Sequence, residues 1–175
     1  MPVPTVCDVD VHALVESARA GNRDAFGRLY ELYARMVHGI LLARVPHFAV
    51  DDLVQDVFVL ALRRLPGLRD ADAFGGWLAM IARNRSADYH RHKQETEELD
   101  ERASGSAPSA EAVAALAALR SLPEAYRETL LLRLVEGMTG PEIAARTGLT
   151  PDSVRVNLYR GMKLLRARLD GEVRK

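Results

Sequence analysis

The sequence is short of cysteine, of aromatic residues and of long apolar runs, and each shortage closes off a class of protein. The single Cys7 excludes a disulfide framework within the chain and any zinc site built on cysteines. No apolar run approaches the ~20 residues that a membrane helix needs. The N-terminus lacks the basic start and apolar stretch of a secretory signal, so the reading places the protein in the cytoplasm. Aromatics make up 6% of the residues, yet apolar residues reach 48%, the balance of a helix-rich chain whose cores are Leu, Ala and Val. Also missing are a carboxylate pair, a nucleophile–base set and a glycine-rich phosphate loop, so no catalysis and no cofactor are expected. His90 and His92 have no further ligand nearby in sequence; they read as polar contacts, with no metal expected.

Net charge is absent too, with 24 basic and 24 acidic residues, but the charges are sorted along the chain. Arg83, Arg85, Arg91 and Lys93 stand against Asp88, a net of +3 over Arg83–Lys93. From Ile143 onward the net is +5, and between these segments Glu95–Glu111 carries a net of −5. Two basic modules divided by an acidic strip point to polyanion contacts at two places.

What is present is helical periodicity. Val11, Leu14, Val15 and Ala18 predict a short helix ending near Gly21. Asn22 can cap a second helix with the stripe Phe26, Leu29, Tyr30, Tyr33, Val37, Ile40 and Leu41, ended by Pro46. Asp51 is expected to cap a third, with Leu53, Val57, Leu60, Ala61 and Leu65 inward, closed by Pro66-Gly67. After the loop Leu68–Asp72 a fourth helix runs from about Ala73 to His92, with Phe74, Trp77, Leu78, Ile81 and Ala82 on its apolar face. Residues 95–111, containing Ser104-Gly105-Ser106-Ala107-Pro108, have the composition of a flexible acidic linker. The predicted fold is all-α: two small helical domains, residues 1–94 and 112–175, joined by that linker.

The second domain contains a helix-turn-helix. Thr139-Gly140-Pro141-Glu142 fits a capping box, and Pro141 is tolerated in a first helical turn. Gly148 sits where the turn needs a positive φ. Thr150 caps the last helix, with Pro151 at its favoured first position. Val154, Leu158, Met162, Leu165 and Leu169 are expected to point inward. Asp152, Ser153, Arg155, Val156, Asn157, Tyr159, Arg160 and Lys163 are left for solvent or DNA, as on a recognition helix that meets base edges and phosphates.

Two stretches carry a resemblance. The first is Asp51-Asp52-Leu53-Val54-Gln55-Asp56-Val57-Phe58 with Phe74-Gly75-Gly76-Trp77-Leu78-Ala79-Met80-Ile81-Ala82-Arg83-Asn84. The second is Leu122-Pro123 with Glu136-Gly137-Met138-Thr139 through Leu169. Together they resemble the two conserved domains of the extracytoplasmic-function (ECF) sigma factors, over about residues 11–94 and 112–169. The resemblance implies a transcription initiation factor whose partners are core RNA polymerase, promoter DNA and an anti-sigma factor.

The roles it implies fall on matched positions. Asp52, Gln55, Asp56 and Val59 resemble the surface that grips the clamp coiled coil of the polymerase. Arg69, Asp70 and Phe74 resemble the pocket for an unstacked base of the minus-10 element. Asn84, Asp88 and Arg91 share a polar face beside it, and Arg83, Arg85 and Lys93 are available for phosphates. Trp77 is read as core rather than as a base contact. For the minus-35 element the contacts are Arg155, Asn157 and Arg160, with Thr139 and Ser153 as phosphate anchors and Lys163 on phosphate. Val156-Asn157 stands where many members have Ser-Arg, and Met162 where many have a basic residue. Since Asn suits adenine and Arg suits guanine, the departure implies an unusual minus-35 sequence.

Two other readings stay open on sequence alone: a stand-alone helix-turn-helix regulator, and a sigma mimic that titrates an anti-sigma factor. The retained basic residues count against the mimic. The charge contrast further suggests that the free protein is held off DNA, by the acidic strip or by an anti-sigma partner.

Overall fold

A computed structural model describes residues 9–95 and 110–172. Within them the chain forms α1 (Val11–Arg19), α2 (Arg23–Leu42), α3 (His47–Arg64), α4 (Phe74–Glu95), α5 (Ala110–Arg120), α6 (Glu124–Leu134), α7 (Gly140–Thr147) and α8 (Pro151–Glu172). Two 3-10 turns, Leu65–Gly67 and Ala71–Ala73, join α3 to α4, and no strand occurs among the described residues. The acidic stretch falls mostly on residues 96–109, outside the described residues. Its edges, Glu95 and Ala110, are already helical.

Most boundaries follow from local chemistry. The Asn22 side chain accepts from the amides of Asp24 and Ala25, which fixes the start of α2. The Thr139–Glu142 capping box is complete, and Gly148 ends α7 at φ +75°. Thr150 Oγ1 accepts from the Ser153 amide at the start of α8. The expected Asp51 cap is not formed. Helix α3 begins one turn earlier, behind Pro46 at φ −57°, because His47–Val50 already place Ala49 and Val50 in the core and Pro46 supplies the pre-set entry.

Helices α1, α3 and α4 pack around α2, and α7 and α8 pack around α6. The two groups also pack on each other: α6 and α7 lie against α2, and α7 against α4. The buried apolar side chains form one continuous core from Val15 to Leu165. This explains why α2 departs from a one-sided stripe. Over its last two turns Met36, Val37, Gly39, Ile40, Leu41 and Leu42 are all buried, as in a helix covered on all sides. Helix α6 does the same, burying Glu128, Thr129, Leu130, Leu131 and Leu132 in succession between α2 and α8. In α8, Val154 and Leu165 are inward as expected, but Leu169 is 39% exposed. Gly161 takes a place in the inward stripe instead: a Cβ there would lie 3.0 Å from both Leu130 and Tyr126.

Candidate nucleic-acid and polymerase interfaces

On α3 the residues left outside the core form a stripe at three-to-four spacing. Asp52, Gln55, Asp56 and Val59 are all exposed, flanked by exposed Phe48 and Leu62. Sequence reading missed those two apolar ends; an unburied Phe and Leu in register with the polar four was the available sign. Asp56 also faces α4, where its carboxylate accepts from Arg85 at 2.8 Å.

The face expected to meet the minus-10 element is partly occupied from within. Arg69 and Asp70 are exposed, and Asp70 caps the turn Ala71–Ala73 by accepting from the Asp72 amide. Phe74 does not line an open pocket. It is 0% exposed, enclosed by Tyr33 of α2, which it meets edge-on, and by Trp77 of its own helix. Trp77 is half-buried against the core, as expected. Asn84 and Arg91 are exposed, and Asp88 pairs with Arg91 and, at 3.8 Å, with Arg85. The Lys93 side chain lies outside the described residues. His90 bonds the Arg44 carbonyl at 2.7 Å. No group of three His, Cys, Asp or Glu suited to a metal ion occurs among the described residues.

Arg83 is the most constrained of the basic residues on this face. Its guanidinium reaches both oxygens of Glu128 on α6, at 2.7 and 3.2 Å. Arg44 binds the same carboxylate at 2.7 Å and Glu124 at 2.6 Å. Glu128 is 4% exposed. Burial alone would raise its pKa, but the hydrogen bonds and charges of Arg83 and Arg44 outweigh that and hold it below the ordinary carboxylate value. Such fork-shaped contacts are the strong, geometry-specific kind of ion pair.

Further arginines stitch α2 to the second group. The last carbonyls of a helix have no partner within it; here Arg120 donates to those of Leu42 and Val45, and Arg127 to that of Ala43. His38 meets Glu136 at 2.6 Å. Arg146, counted by sequence among the basic residues of the second domain, is 5% exposed and turned inward. Burial lowers its pKa. None of these cross-contacts is readable from local spacing.

The recognition helix is open by contrast. Ser153, Arg155, Val156, Arg160 and Lys163 are exposed, and Tyr159, expected on the same outward face, projects at 74% exposure. Asn157 leans toward α6, its amide 3.5 Å from the Thr129 hydroxyl. Thr139 is exposed, but its hydroxyl is engaged in the capping box. Between α6 and α8 runs a groove of about 660 Å³ lined by Leu158, Tyr159 and Met162 with Arg133, Lys163 and Arg166 at its rim.

The matches to known families coincide with the two groups of helices. Residues 29–96 match the family model for sigma-70 region 2, and residues 112–165 that for sigma-70 region 4. The chain is 31% identical over 162 residues to the RNA polymerase sigma factor CarQ of Myxococcus xanthus, covering 87% of this chain and 93% of that one. The chain belongs to the ECF sigma factors of the sigma-70 family. It is also 33% identical to the ECF sigma factor BldN of Streptomyces coelicolor over 92% of its own length and 66% of BldN. CnrH of Cupriavidus metallidurans is 32% identical, with 93% of this chain and 95% of CnrH covered. The solved structure of CnrH in complex with the cytosolic domain of CnrY superposes with a TM-score of 0.63, covering 92% of this chain and 97% of that one. This sigma factor is accordingly a transcription initiation factor that binds core RNA polymerase and directs it to promoters.

Proposed function

We propose that the two groups of helices divide promoter recognition between them. Residues 1–94 engage the clamp coiled coil through Asp52, Gln55, Asp56 and Val59, with Phe48 and Leu62 extending the contact. They read and open the minus-10 element through Arg69, Asp70, Asn84, Asp88 and Arg91, with Arg83, Arg85 and Lys93 on phosphates. Phe74 acts from behind, holding Tyr33 and Trp77 in place. Residues 112–175 place α8 in the minus-35 major groove. There Arg155 and Arg160 reach base edges, Val156 and Asn157 set the shape of the contact, and Thr139, Ser153 and Lys163 lie along the backbone. The observation that carries this reading is the pairing of an exposed acidic–apolar stripe on α3 with an exposed basic face on α8. A stand-alone regulator has no need of the first.

The protein does its work in the cytoplasm and performs no catalysis itself; RNA synthesis belongs to the polymerase. An anti-sigma protein controls it, a reading supported by CnrH, solved with the cytosolic domain of CnrY. Run-off transcription with core polymerase on a promoter library tests the whole reading. The wild type should yield defined start sites that disappear when Asp52 and Gln55 are replaced together by alanine. Core binding and transcription unaffected by that double replacement would overturn the polymerase assignment.

A further inference from the structure

The outward side of α8 is not uniformly basic. Val156 and Tyr159 stand three residues apart there, 38% and 74% exposed, with Arg155, Arg160 and Lys163 exposed around them. The buried seam of the helix runs through Val154 and Leu165, and through Gly161, where an added Cβ would crowd α6. At about 3.6 residues per turn, Val156 and Tyr159 straddle the line opposite that seam, with Arg155 on one flank and Arg160 on the other. The centre of the face expected to meet base edges is therefore an apolar pair, and the cations lie beside and beyond it.

The polar residue between them is turned away. Asn157 is half-buried, and its amide nitrogen lies 3.5 Å from the Thr129 hydroxyl on α6. Thr129 is 1% exposed and donates its own proton to the Ala125 carbonyl at 2.8 Å. The lone pair left on that hydroxyl can receive an amide N–H but has nothing to give a carbonyl, which fixes the orientation of the Asn157 side chain. An asparagine that reads adenine offers its N–H and its carbonyl side by side to one base edge. With its amide directed into the seam between α6 and α8, Asn157 does not present that pair. The hydrogen-bonding reader is withdrawn, and the apolar pair is what remains.

Only one base presents an apolar group in the major groove, the C5 methyl of thymine. We propose that Val156 and Tyr159 receive the methyl group of a thymine in the minus-35 element, while Arg155, Arg160 and Lys163 hold the flanking bases and backbone. An A·T pair is then selected through the methyl of its thymine rather than through hydrogen bonds to its adenine. The surrounding cations favour a polyanion over a protein surface as the occupant of this face. Tyr159 suits the place, because its ring is apolar and its hydroxyl can still reach a phosphate oxygen. The proposal deepens the reading of α8 as the minus-35 helix and rests on it.

The test uses the full-length protein with core polymerase on a promoter recovered from the run-off library. Each thymine of the minus-35 region, on either strand, is replaced singly by deoxyuridine, which lacks only the methyl group. The wild type should lose roughly fourfold in affinity at one or two positions, the effect of one buried methyl. Serine has nearly the helix propensity of valine, so Val156→Ser keeps α8 intact. That variant should bind the thymine promoter about fourfold more weakly and be indifferent to deoxyuridine at the same position. Tyr159→Phe should keep the sensitivity and Tyr159→Ala lose it, a second reading that does not depend on Val156. A wild type insensitive to deoxyuridine at every position would overturn the proposal, as would penalties of Val156→Ser and deoxyuridine that simply add. Weaker binding of Val156→Ser to core polymerase without DNA, with no methyl sensitivity, would mark the patch as a protein contact and overturn it too. Sensitivity to Arg155→Ala with none to deoxyuridine would remove the proposal alone, whereas indifference to every base in the region would remove the reading of α8 with it.

Discussion

The two basic faces of the molecule meet opposite fates. On α4, Arg83 is locked to Glu128 and Arg85 to Asp56, whereas on α8 Arg155, Arg160 and Lys163 stand in solvent. Arg155 pairs with the exposed Asp152 at 3.2 Å, a surface pair of negligible strength. A net positive charge in both segments of the sequence therefore conceals unequal availability. The arginines of one face are engaged within the protein, and those of the other are open to solvent.

The largest effect on this contrast is expected from Glu128→Ala. It leaves Arg44 and Arg83 facing a dry interface without an anion, a loss of about 3–5 kcal/mol if the interface stayed shut. Because the halves can part, the variant should instead split one calorimetric unfolding transition into two. A single unshifted transition would mean that the ion cluster does not couple the halves. Next comes Gly161→Val, which attacks the other side of α6. Overpacking against Leu130 and Tyr126 should cost about 1–3 kcal/mol and abolish minus-35 binding while core binding through α3 survives. Equal loss of both activities would show that the halves fold only as one unit.

Arg155→Ala should cost about 1–3 kcal/mol at a single promoter position, read by binding to a set of single-base variants, while Lys163→Ala weakens all of them alike. An unchanged preference after Arg155→Ala would remove that residue from base reading.

The smallest effect is a pH dependence at His38. The hydrogen bond to Glu136 raises its pKa above the ordinary imidazole value; burial opposes this, and the nearby carboxylate charge adds to it. A raised folded-state pKa means that the pair contributes fully below the ordinary value of 6.5 and fades as pH rises through the raised value. The thermal midpoint should therefore fall between about pH 6 and pH 8 by more in the wild type than in His38→Gln. Parallel curves would remove His38 from the interface account.

Much of this was legible in the sequence because it is local. The Asn22 cap, the Thr139–Glu142 box and the left-handed Gly148 each depend on a few neighbouring residues, and the structure has them all. The Asp51 cap failed because a good capping residue lay inside a helix that Pro46 had already opened. Arg146 was misplaced for a different reason: Tyr33 and Arg35 beside it come from the opposite half of the chain, while Phe74 is enclosed by Tyr33 from another helix and by Trp77. Signs of that packing were nonetheless present. Gly39–Leu42 and Leu130–Leu132 are apolar at every position, more than a helix with one wet side needs, and Gly39 interrupts α2 with its close neighbours all in the other half. What no spacing rule could supply was the partner of each charge. The candidate residues lie on the helices and turns that the periodicity predicts, but which of them are exposed did not follow from the sequence.

The most direct test of the account is the distance between the halves before and during initiation. With Cys7 replaced by serine and dyes at Arg28→Cys and Arg166→Cys, energy transfer should report a separation within about 40 Å for the free protein. With core polymerase and promoter DNA it should exceed roughly 60 Å, as bridging two elements ~25 base pairs apart requires. A transcribing complex that kept the short distance would contradict the account.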